Sequence, residues 1–440
     1  ILAFAASKGD SGTAAGAFFG AGALLLISGI AFCRAVLAKL ERARHHAFSL
    51  NTLGVRNTAR RSGRSLSAVG LLACGSFLVI AIGANRHDPA ADADKRGSGT
   101  GGFALYGETA LPIFHDMNTT DGQEQWGIDA QEVQGVTWVP MRVKAGDDAS
   151  CLNLNRAQKP RIFGVQTSAF KQREAFTFGS LVEGADKREP WGVLDTMTPG
   201  DNTIPVVGDT NTIVWSLGKK LGDTLEYLDD RGVAHKLKIA GILGNNILQG
   251  SLLMSESNFI RLFPGQSGYA AFLIDAPKAQ SAAVAKTLAK AMEDAGLSLS
   301  PAAERLADFN AVENTYLSIF AILGGLGLLL GSVGLGVIVL RNVLERRGEL
   351  ALMRAVGFRA NSLYRLIFSE HLLLLLLGLL TGIVAAMIAV LPALNSPGAG
   401  VPYLTLTLTL LAVFVSGFVW VGLATGAAMR GSLLPALRNE

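Results

Sequence analysis

The stretch VIVLRNVLERRGELALMRAVGFRANSLYRLIFSEH, residues Val337 to His371, decides how this chain is arranged. It joins two apolar segments, Tyr316–Leu340 and Leu372–Leu391, that are long enough to cross a membrane as helices. The stretch holds six arginines and three glutamates. Because loops on the cytoplasmic side of a membrane carry an excess of Lys and Arg, the pattern predicts a cytoplasmic turnaround between two spans.

A short helix is predicted inside this turnaround. Strong helix formers fill Val343 to Val356. Gly357 suits the left-handed backbone position at which many helices end. Asn361 is placed to cap a second helix that continues into the next span. The sequence therefore predicts a short helix lying between two membrane helices.

The charges of the short helix favour an external partner. Glu345 and Glu349 are four residues apart, a like-charge spacing that weakens an isolated helix. The favourable near pair within the helix is Arg346 with Glu349. Spacing alone leaves two interpretations open, a helix that docks on another protein and a basic segment held near anionic lipid headgroups.

The residue order in the turnaround resembles the signature of FtsX-like permeases. These belong to the mechanotransmission class of ABC transporters, together with the macrolide-efflux and lipoprotein-releasing permeases. The residues that carry the resemblance are Glu345, Arg346, Arg347, Glu349, Arg354, Ala355 and Gly357, followed by Glu370 at the entry to a span. The resemblance implies a coupling helix that contacts a separate cytoplasmic ABC ATPase dimer. The implied ATPase-coupling residues are Glu345, Arg346, Arg347, Glu349, Arg354 and Gly357.

Glu370 allows two roles. An ionisable residue at the mouth of a span can be functional. Glu370 is also close in sequence to Arg365 and to the start of a helix, so it could be an interface charge that is satisfied within the chain. The sequence leaves both roles open.

The composition indicates a membrane protein with a soluble part. Half of the 440 residues are hydrophobic and 17% are charged. Five apolar runs are each close to or above the roughly 20 residues that a membrane-spanning helix needs. The predicted spans are Gly12–Cys33, Ser65–Ala84, Tyr316–Leu340, Leu372–Leu391 and Leu404–Ala428. The predicted fold is an α-helical transmembrane bundle of about five spans, with a mixed α/β extracytoplasmic domain inserted between the second and third.

Charge placement orients the spans. Outside the segment Arg86–Asn314, every basic residue except Lys8 falls on one side of an alternating topology, which the positive-inside rule makes the cytoplasm. Arg86–Asn314 is then outside, with a net charge of −7 against +11 for the rest of the chain. Because the excess positive charge lies next to the membrane and not on a soluble face, no nucleic-acid partner is expected.

The predicted segments follow from these spans. They are 1–64, the end of a preceding half with its last span and a basic cytoplasmic linker; 65–85, a transmembrane helix; 86–314, the extracytoplasmic α/β domain; 315–340, a transmembrane helix; 341–371, the cytoplasmic coupling helix; 372–394 and 404–429, transmembrane helices; and 430–440, a cytoplasmic tail. The predicted location is the cytoplasmic (inner) membrane of a bacterium.

The start of the chain indicates the C-terminal part of a longer permease. Ile1–Ala6 is an apolar stub, interpreted as the tail of a truncated span; the alternative is a secretory signal, although no positive region precedes the stub. An outside turn, a span and a basic tail occur around Gly12–Cys33 and again around Leu404–Ala428, a short match for which coincidence is the alternative. Leu50–Leu66 resembles the amphipathic lead-in before the first span of FtsX-like permeases, and ordinary basic flanking explains its charges equally well.

The outside segment is predicted to mix strands and helices. The predicted strands are Val136–Val143, Arg161–Val165, Thr224–Leu228, His235–Ile242 and Ala270–Ile274. A helix is predicted at Gln280–Ala295, and one long helix from Pro301 to Leu340 would join the domain to its return span. The loop Gly244–Glu256 is interpreted as core or turn, with contact to a cargo or partner as the alternative. This order of elements indicates a mixed α/β domain.

No catalytic or metal-binding motif is evident in the sequence. Gly324–Gly336 is rich in glycine but has no Lys, so it is interpreted as close helix packing and not as a nucleotide loop. The six histidines form no HExxH pattern and the three cysteines no CxxC pattern. The acidic loop Gly146–Asn155, which contains Cys151, is interpreted as a solvated turn, with a catalytic or metal-binding role as the alternative. No cofactor, metal or catalytic residue is expected, and ATP hydrolysis would occur in a separate subunit.

The resemblance implies a permease subunit that transmits ATP-driven motion from the ATPase to the extracytoplasmic domain, for export or extraction of lipid, lipoprotein, peptide or drug-like substrates. Two alternatives are an FtsX-like signalling module that controls a cell-wall hydrolase, and a membrane-anchored binding or sensor protein without an ATPase. The implied partners are the ATPase dimer, a second permease unit (homodimer, heterodimer or the missing N-terminal half), a periplasmic adaptor and membrane lipid.

Overall fold

The computed structural model of the chain describes residues 11–42, 54, 58, 62–84, 92–147, 159–195, 203–395 and 403–430. The chain divides into two compact units. The membrane unit comprises residues 1–86, 314–395 and 401–440, and the sheet unit comprises residues 87–313 and 396–400. The stub Ile1–Ala6, Cys151 with most of its acidic loop, and most of the lead-in Leu50–Leu66 lie outside the described residues.

The helices of the described residues are numbered here in chain order. They are α1 Ser11–Arg42, α2 Ser62–Gly83, α3 Thr120–Glu124, α4 Thr167–Arg173, α5 Glu256–Leu262, α6 Ser281–Ala291, α7 Ala302–Glu345, α8 Arg347–Ala355, α9 Ala360–Asn395 and α10 Tyr403–Arg430. Of these, α1, α2, α7, α9 and α10 are long and apolar enough to cross a membrane. The five predicted spans are therefore confirmed as helices, and α7 confirms the continuous helix predicted from Pro301 to Leu340.

Close packing in the membrane unit depends on small residues. At Gly382 of α9, an added Cβ would stand 2.5 Å from the carbonyl oxygen of Ala73 in α2, so the two backbones approach too closely for any larger residue. At Gly331 of α7, an added Cβ would stand 3.3 Å from Leu72 of α2. Gly327 has open space around it. Close packing is thus confirmed for part of the Gly324–Gly336 run.

The described residues of the sheet unit form one ten-stranded mixed sheet. Its strands are β1 Leu105–Ile113, β2 Thr137–Lys144, β3 Arg161–Val165, β4 Phe178–Leu181, β5 Thr203–Asp209, β6 Thr224–Leu228, β7 Ala234–Leu243, β8 Ser251–Ser255, β9 Tyr269–Asp275 and β10 Ser298–Pro301. Their order is β10-β1-β9-β2-β3-β8-β5-β7-β4, with β6 paired to β7. The pairs β3–β8 and β5–β7 are parallel, and the other pairs are antiparallel. A mixed sheet domain therefore lies between the second and third spans, as predicted.

Both faces of the sheet are buried. In β3, the neighbours Ile162 and Phe163 belong to different hydrophobic clusters, and in β8 the neighbours Leu252 and Leu253 do as well. Because successive side chains of a strand point to opposite faces, the two clusters cover opposite faces of the sheet. A sheet covered in this way can hold a core without help from the membrane.

The predicted elements of this domain are found close to their predicted bounds. The five predicted strands correspond to β2, β3, β6, β7 and β9, and the helix predicted at Gln280–Ala295 corresponds to α6 followed by a 3-10 turn at Glu293–Ala295. Within the loop Gly244–Glu256, Ile247 and Leu248 are buried and Ser251–Ser255 forms β8. The interpretation of this loop as core is therefore confirmed.

We expect the sheet unit to fold without the membrane. Residues 87–313 expressed alone should unfold in one cooperative thermal transition, because a domain of this size with both sheet faces covered can bury its own core. Circular dichroism during heating measures this. A fragment whose signal declines gradually, with no transition, would contradict the expectation.

Candidate functional site

A break in the helical backbone separates α7 from α8 at Arg346. Arg346 has φ −107° and ψ 15°, outside the helical range. Its N–H is shared between two carbonyl oxygens of the preceding turn, each at 3.2 Å. The prediction of one helix over Val343–Val356 is therefore only partly right, because α7 ends at Glu345 and a separate short helix covers Arg347–Ala355.

Two predictions concern the turn after α8, the helix end at Gly357 and the cap at Asn361. Gly357 has φ 104°, in the region that favours glycine, and it follows the end of α8 as predicted. The prediction that Asn361 caps the next helix is wrong. α9 begins at Ala360, and the carbonyl oxygen of Arg359 accepts two N–H groups of its first turn at 2.9 and 3.3 Å. Asn361 is thus already inside the helix.

The helix α8 has a packed face and an exposed stripe. Leu350 and Ala351 are buried and belong to the main hydrophobic cluster of the membrane unit. Glu349, Leu352 and Val356 follow the spacing i, i+3, i+7, which places them along one side of a helix. Leu352 is 61% exposed and Val356 is 74% exposed. We call Glu349, Leu352 and Val356 the outer stripe.

The charged residues around α8 have partners within the chain. Arg341 Nε donates to Glu345 at 2.8 Å, and Arg346 Nε donates to Glu349 at 3.1 Å. Because the break at Arg346 lies between the two glutamates, they do not repel each other along one continuous helix. These charges therefore do not require an external partner. The two exposed apolar side chains of the outer stripe are the feature that suits one.

Glu370 pairs with Arg346, which lies 24 residues earlier in the chain. Arg346 Nη1 is 3.2 Å from Glu370 Oε2, and the two side chains are 12% and 5% exposed. The pair joins the break between α7 and α8 to the beginning of α9. This geometry supports the interpretation of Glu370 as a charge satisfied within the chain, with Arg346 as its partner.

A second polar contact lies beside this ion pair. His371 Nδ1 is 2.8 Å from the carbonyl oxygen of Ile367, and His371 Nε2 is 3.2 Å from Asn342 Nδ2. Since a carbonyl oxygen can only accept, Nδ1 carries the proton and Nε2 accepts from the amide of Asn342. Asn342 and His371 are both buried. The end of α7 and the start of α9 are therefore joined by two polar contacts.

The remaining predicted residues lie at the surface or at its edge. Arg354 is exposed, while Arg347 is half-buried and its Nε has no hydrogen-bond partner among the described residues. The role of each residue in ATPase coupling stays a prediction. The charge pattern did not reveal Leu352, Val356 or Asn342. The i, i+4 spacing of the two apolar residues is the signal that could have found the first two.

In the sheet unit, several polar side chains meet at Glu108. Its carboxylate accepts from Arg161 Nη1 at 2.9 Å and from the Tyr106 hydroxyl at 2.5 Å, and Arg305 Nη2 lies 3.8 Å away. Burial raises the pKa of Glu108, but the hydrogen bond and charge of Arg161, together with Tyr106 and Arg305, outweigh burial and hold this pKa below its usual range. Glu108 is therefore ionised at neutral pH and ties β1 to β3 and α7.

Metal-ligating side chains are not grouped in the part of the chain that the structure describes, where no cluster of three or more His, Cys, Asp or Glu could hold a metal ion. The acidic loop from Asp148 to Asn155, singled out in the sequence, lies outside that part.

The comparisons with known proteins concern the membrane unit. Residues 321–433 match the family model of the FtsX-like permease C-terminal domain. This match begins within α7 and includes α8, α9 and α10 with the outer stripe and the Arg346–Glu370 pair. A comparison with curated proteins gives no match. The chain is thus a multi-pass membrane protein of the ABC-transporter permease type, and its residues 321–433 are an FtsX-like permease C-terminal domain.

Proposed function

We propose that the chain is the permease subunit of an ABC transporter and that α8 receives the stroke of a separate cytoplasmic ATPase dimer. The outer stripe is the observation that carries this proposal. A short helix whose inner face is packed and whose outer face shows a leucine and a valine suits a groove on another protein. The proposed contact residues include those implied by the resemblance, Glu345, Arg346, Arg347, Glu349, Arg354 and Gly357, together with Leu352 and Val356.

The packed face of α8 supports transmission of movement into the spans. Leu350 and Ala351 share one hydrophobic cluster with Val343 of α7 and with Leu363 and Ile367 of α9. Because packed interiors are dense and resist compression, a push on α8 would displace both spans together. The Arg346–Glu370 pair adds a polar contact between the same helices.

The helix α7 supports transmission to the domain outside the membrane. Near its start, Ala302 and Leu306 belong to the hydrophobic core of the sheet unit. Near its end, Leu335 and Val339 belong to the hydrophobic cluster of the membrane unit. The helix is continuous between these residues. A continuous helix anchored at both ends is a stiff element, so movement at one end is expected to reach the other.

ATP hydrolysis would occur in the partner, and the permease chain would convert it into movement of the sheet unit. The substrate class follows from the resemblance alone and comprises lipid, lipoprotein, peptide or drug-like molecules exported across or extracted from a bacterial inner membrane. A complex that holds an ATPase and a cell-wall hydrolase would favour the signalling alternative. A chain that binds no ATPase would favour a sensor.

The test is the composition of the complex that the chain forms. The chain, solubilised from the membranes of its native host, should co-purify with a protein that has a phosphate-binding P-loop and hydrolyses ATP. Native mass spectrometry should find two copies of that ATPase with two four-helix permease units, where one unit is the set of spans α2, α7, α9 and α10, because an ATPase dimer presents two docking sites related by a two-fold axis. The second unit would come from another chain or from a preceding half of the same protein.

Two results would contradict the proposal. The first is a purified chain that retains no ATPase at any detergent or lipid condition in which it remains folded. The second is an active complex with a single four-helix unit for each ATPase pair.

A further inference from the structure

The junction of α7, α8 and α9 contains a buried ion pair whose role the docking proposal does not explain. Arg346 is the residue at which the helical backbone is interrupted. Its guanidinium reaches Glu370 on α9 at 3.2 Å and Glu349 on α8 at 3.1 Å. One side chain at the break is thus bonded both to α8 and to α9.

The surroundings of the ion pair are apolar, so each of its two charges depends on the other. The apolar side chains Val343, Leu350 and Ile367 surround the polar residues of the junction. In such surroundings a carboxylate without a partner is strongly unfavourable, because the charge has lost its water. Glu370 is 5% exposed, so its charge depends on groups of the protein and not on solvent. Arg346 therefore cannot move away from Glu370 without a large cost.

The two polar contacts at the junction are in register. Asn342 lies in the last turn of α7, and Arg346 lies four residues later at the break; they contact the adjacent residues His371 and Glu370 of α9. Two contacts at different points restrict rotation between the helices as well as their distance. Asn342 Oδ1 has no hydrogen-bond partner among the described residues, so the amide is held by its contact with His371 alone.

We propose that Arg346 and Glu370 are positioning residues, and that their ion pair holds the short helix α8 at a fixed angle to the span α9. Packing of Leu350 and Ala351 supplies contact but little direction, because apolar contacts tolerate sliding. A buried charge pair is directional, and its best-supported role in proteins is to select one arrangement among several. This proposal rests on the proposed function, since the angle of α8 decides how a push on the outer stripe reaches α9.

The proposal predicts the behaviour of the chain without any ATPase. Spin labels are placed at Gly348→Cys on α8 and Leu380→Cys on α9, in a chain whose three native cysteines are replaced by serine. Gly348 has open space around it and Leu380 is exposed, so both positions should accept a label. Distances are measured by electron–electron double resonance in lipid bilayers, with labelled chain diluted by unlabelled chain. The unaltered pair should give one narrow distance distribution.

Arg346→Gln and Glu370→Gln should each shift and broaden this distribution. The double variant Arg346→Gln/Glu370→Gln removes both charges, so no unpaired charge is left buried and the chain should remain folded. It should broaden the distribution no more than Arg346→Gln does, because both variants lose every ion pair of Arg346, including the one with Glu349. The control is Arg341→Gln, which breaks the exposed pair between Arg341 and Glu345 and should leave the distribution unchanged.

The outcomes separate this proposal from the docking proposal. If both single variants keep the narrow distribution, or if the two effects add in the double variant, the ion pair does not position α8 and the proposal is overturned. ATPase co-purification is measured on the same membranes. A chain that binds no ATPase but shows the predicted broadening would reject the docking proposal and retain the positioning role.

Discussion

Replacing Leu352 with glutamate is expected to separate the chain from its ATPase while leaving the chain folded. Leu352 is 61% exposed, so the charge meets water in the free chain and the apolar surface of a groove in the complex. Loss of a central apolar anchor at an interface costs about 2 to 4 kcal/mol, which weakens binding roughly 30- to 900-fold. Titration of the purified ATPase against the chain in lipid nanodiscs, with ATP turnover as a second readout, measures this. Glu349→Lys on the outer stripe should act in the same direction.

The control for this prediction is Arg359→Glu. Arg359 is exposed, as Leu352 is, but lies beyond the positive-φ residue Gly357 and off the outer stripe. An exposed charge of this kind contributes little, so binding should change by less than about 1 kcal/mol. If Leu352→Glu and Glu349→Lys bind the ATPase as well as the unaltered chain does, α8 is a helix held at lipid headgroups and the proposed mechanical link is lost.

Replacing Trp191 with alanine is expected to destabilise the sheet unit by about 3 to 5 kcal/mol, the usual cost of truncating a large buried aromatic residue. Trp191 is 2% exposed, stacks on Phe170 with ring centroids 4.7 Å apart, and meets Phe178 edge to face at 5.0 Å. Its Nε1 donates to the carbonyl oxygen of Ala175 at 2.8 Å. For a domain of this size the loss corresponds to a melting temperature lower by roughly 6 to 20 °C. Thermal unfolding of the fragment 87–313 measures it.

A second tryptophan of the same unit supplies the matched control. Trp215 is 71% exposed, on a short π-helical turn at Asn211–Ser216. Trp215→Ala should change the free energy of unfolding by no more than about 0.5 kcal/mol, because little apolar surface leaves a packed core. Equal effects of the two substitutions would mean that Trp191 does not lie at the centre of this core.

In the candidate site, features that depend on neighbouring residues were predictable from the sequence, and a feature that involves a distant residue was not. The short helix and the turn at Gly357 depend on local propensity and backbone conformation, which neighbouring residues determine. The break at Arg346 could not be predicted, because Leu344 to Arg347 are all good helix formers. The ion pair that Arg346 forms is with Glu370, 24 residues later in the chain. The spacing of Glu345 and Glu349 was misleading for the same reason. The two glutamates lie in different helices and each pairs with an arginine, so their repulsion does not weaken one shared helix.

In the sheet unit as well, a local turn signal was predictable, whereas buried strands and long-range pairings were not. β6 and β7 are joined by Asp229 to Gly232, and this turn sequence made the hairpin predictable. β5 and β8 were not predicted. Every residue of these two strands is buried, and a strand covered on both faces does not alternate between apolar and polar residues. The order of the ten strands depends on pairings such as β1 with β9, which lie far apart in the chain.

The unbroken backbone of α7 restricts how this protein can vary in length. Each residue added to an α-helix turns everything after it by about 100°. A single insertion between Leu328 and Leu335, which both belong to the hydrophobic cluster of the membrane unit, would turn one of them out of this cluster. Insertion of seven residues, close to two full turns, would nearly restore the phase. Tolerated changes of length in this part of α7 are therefore expected to come in whole turns.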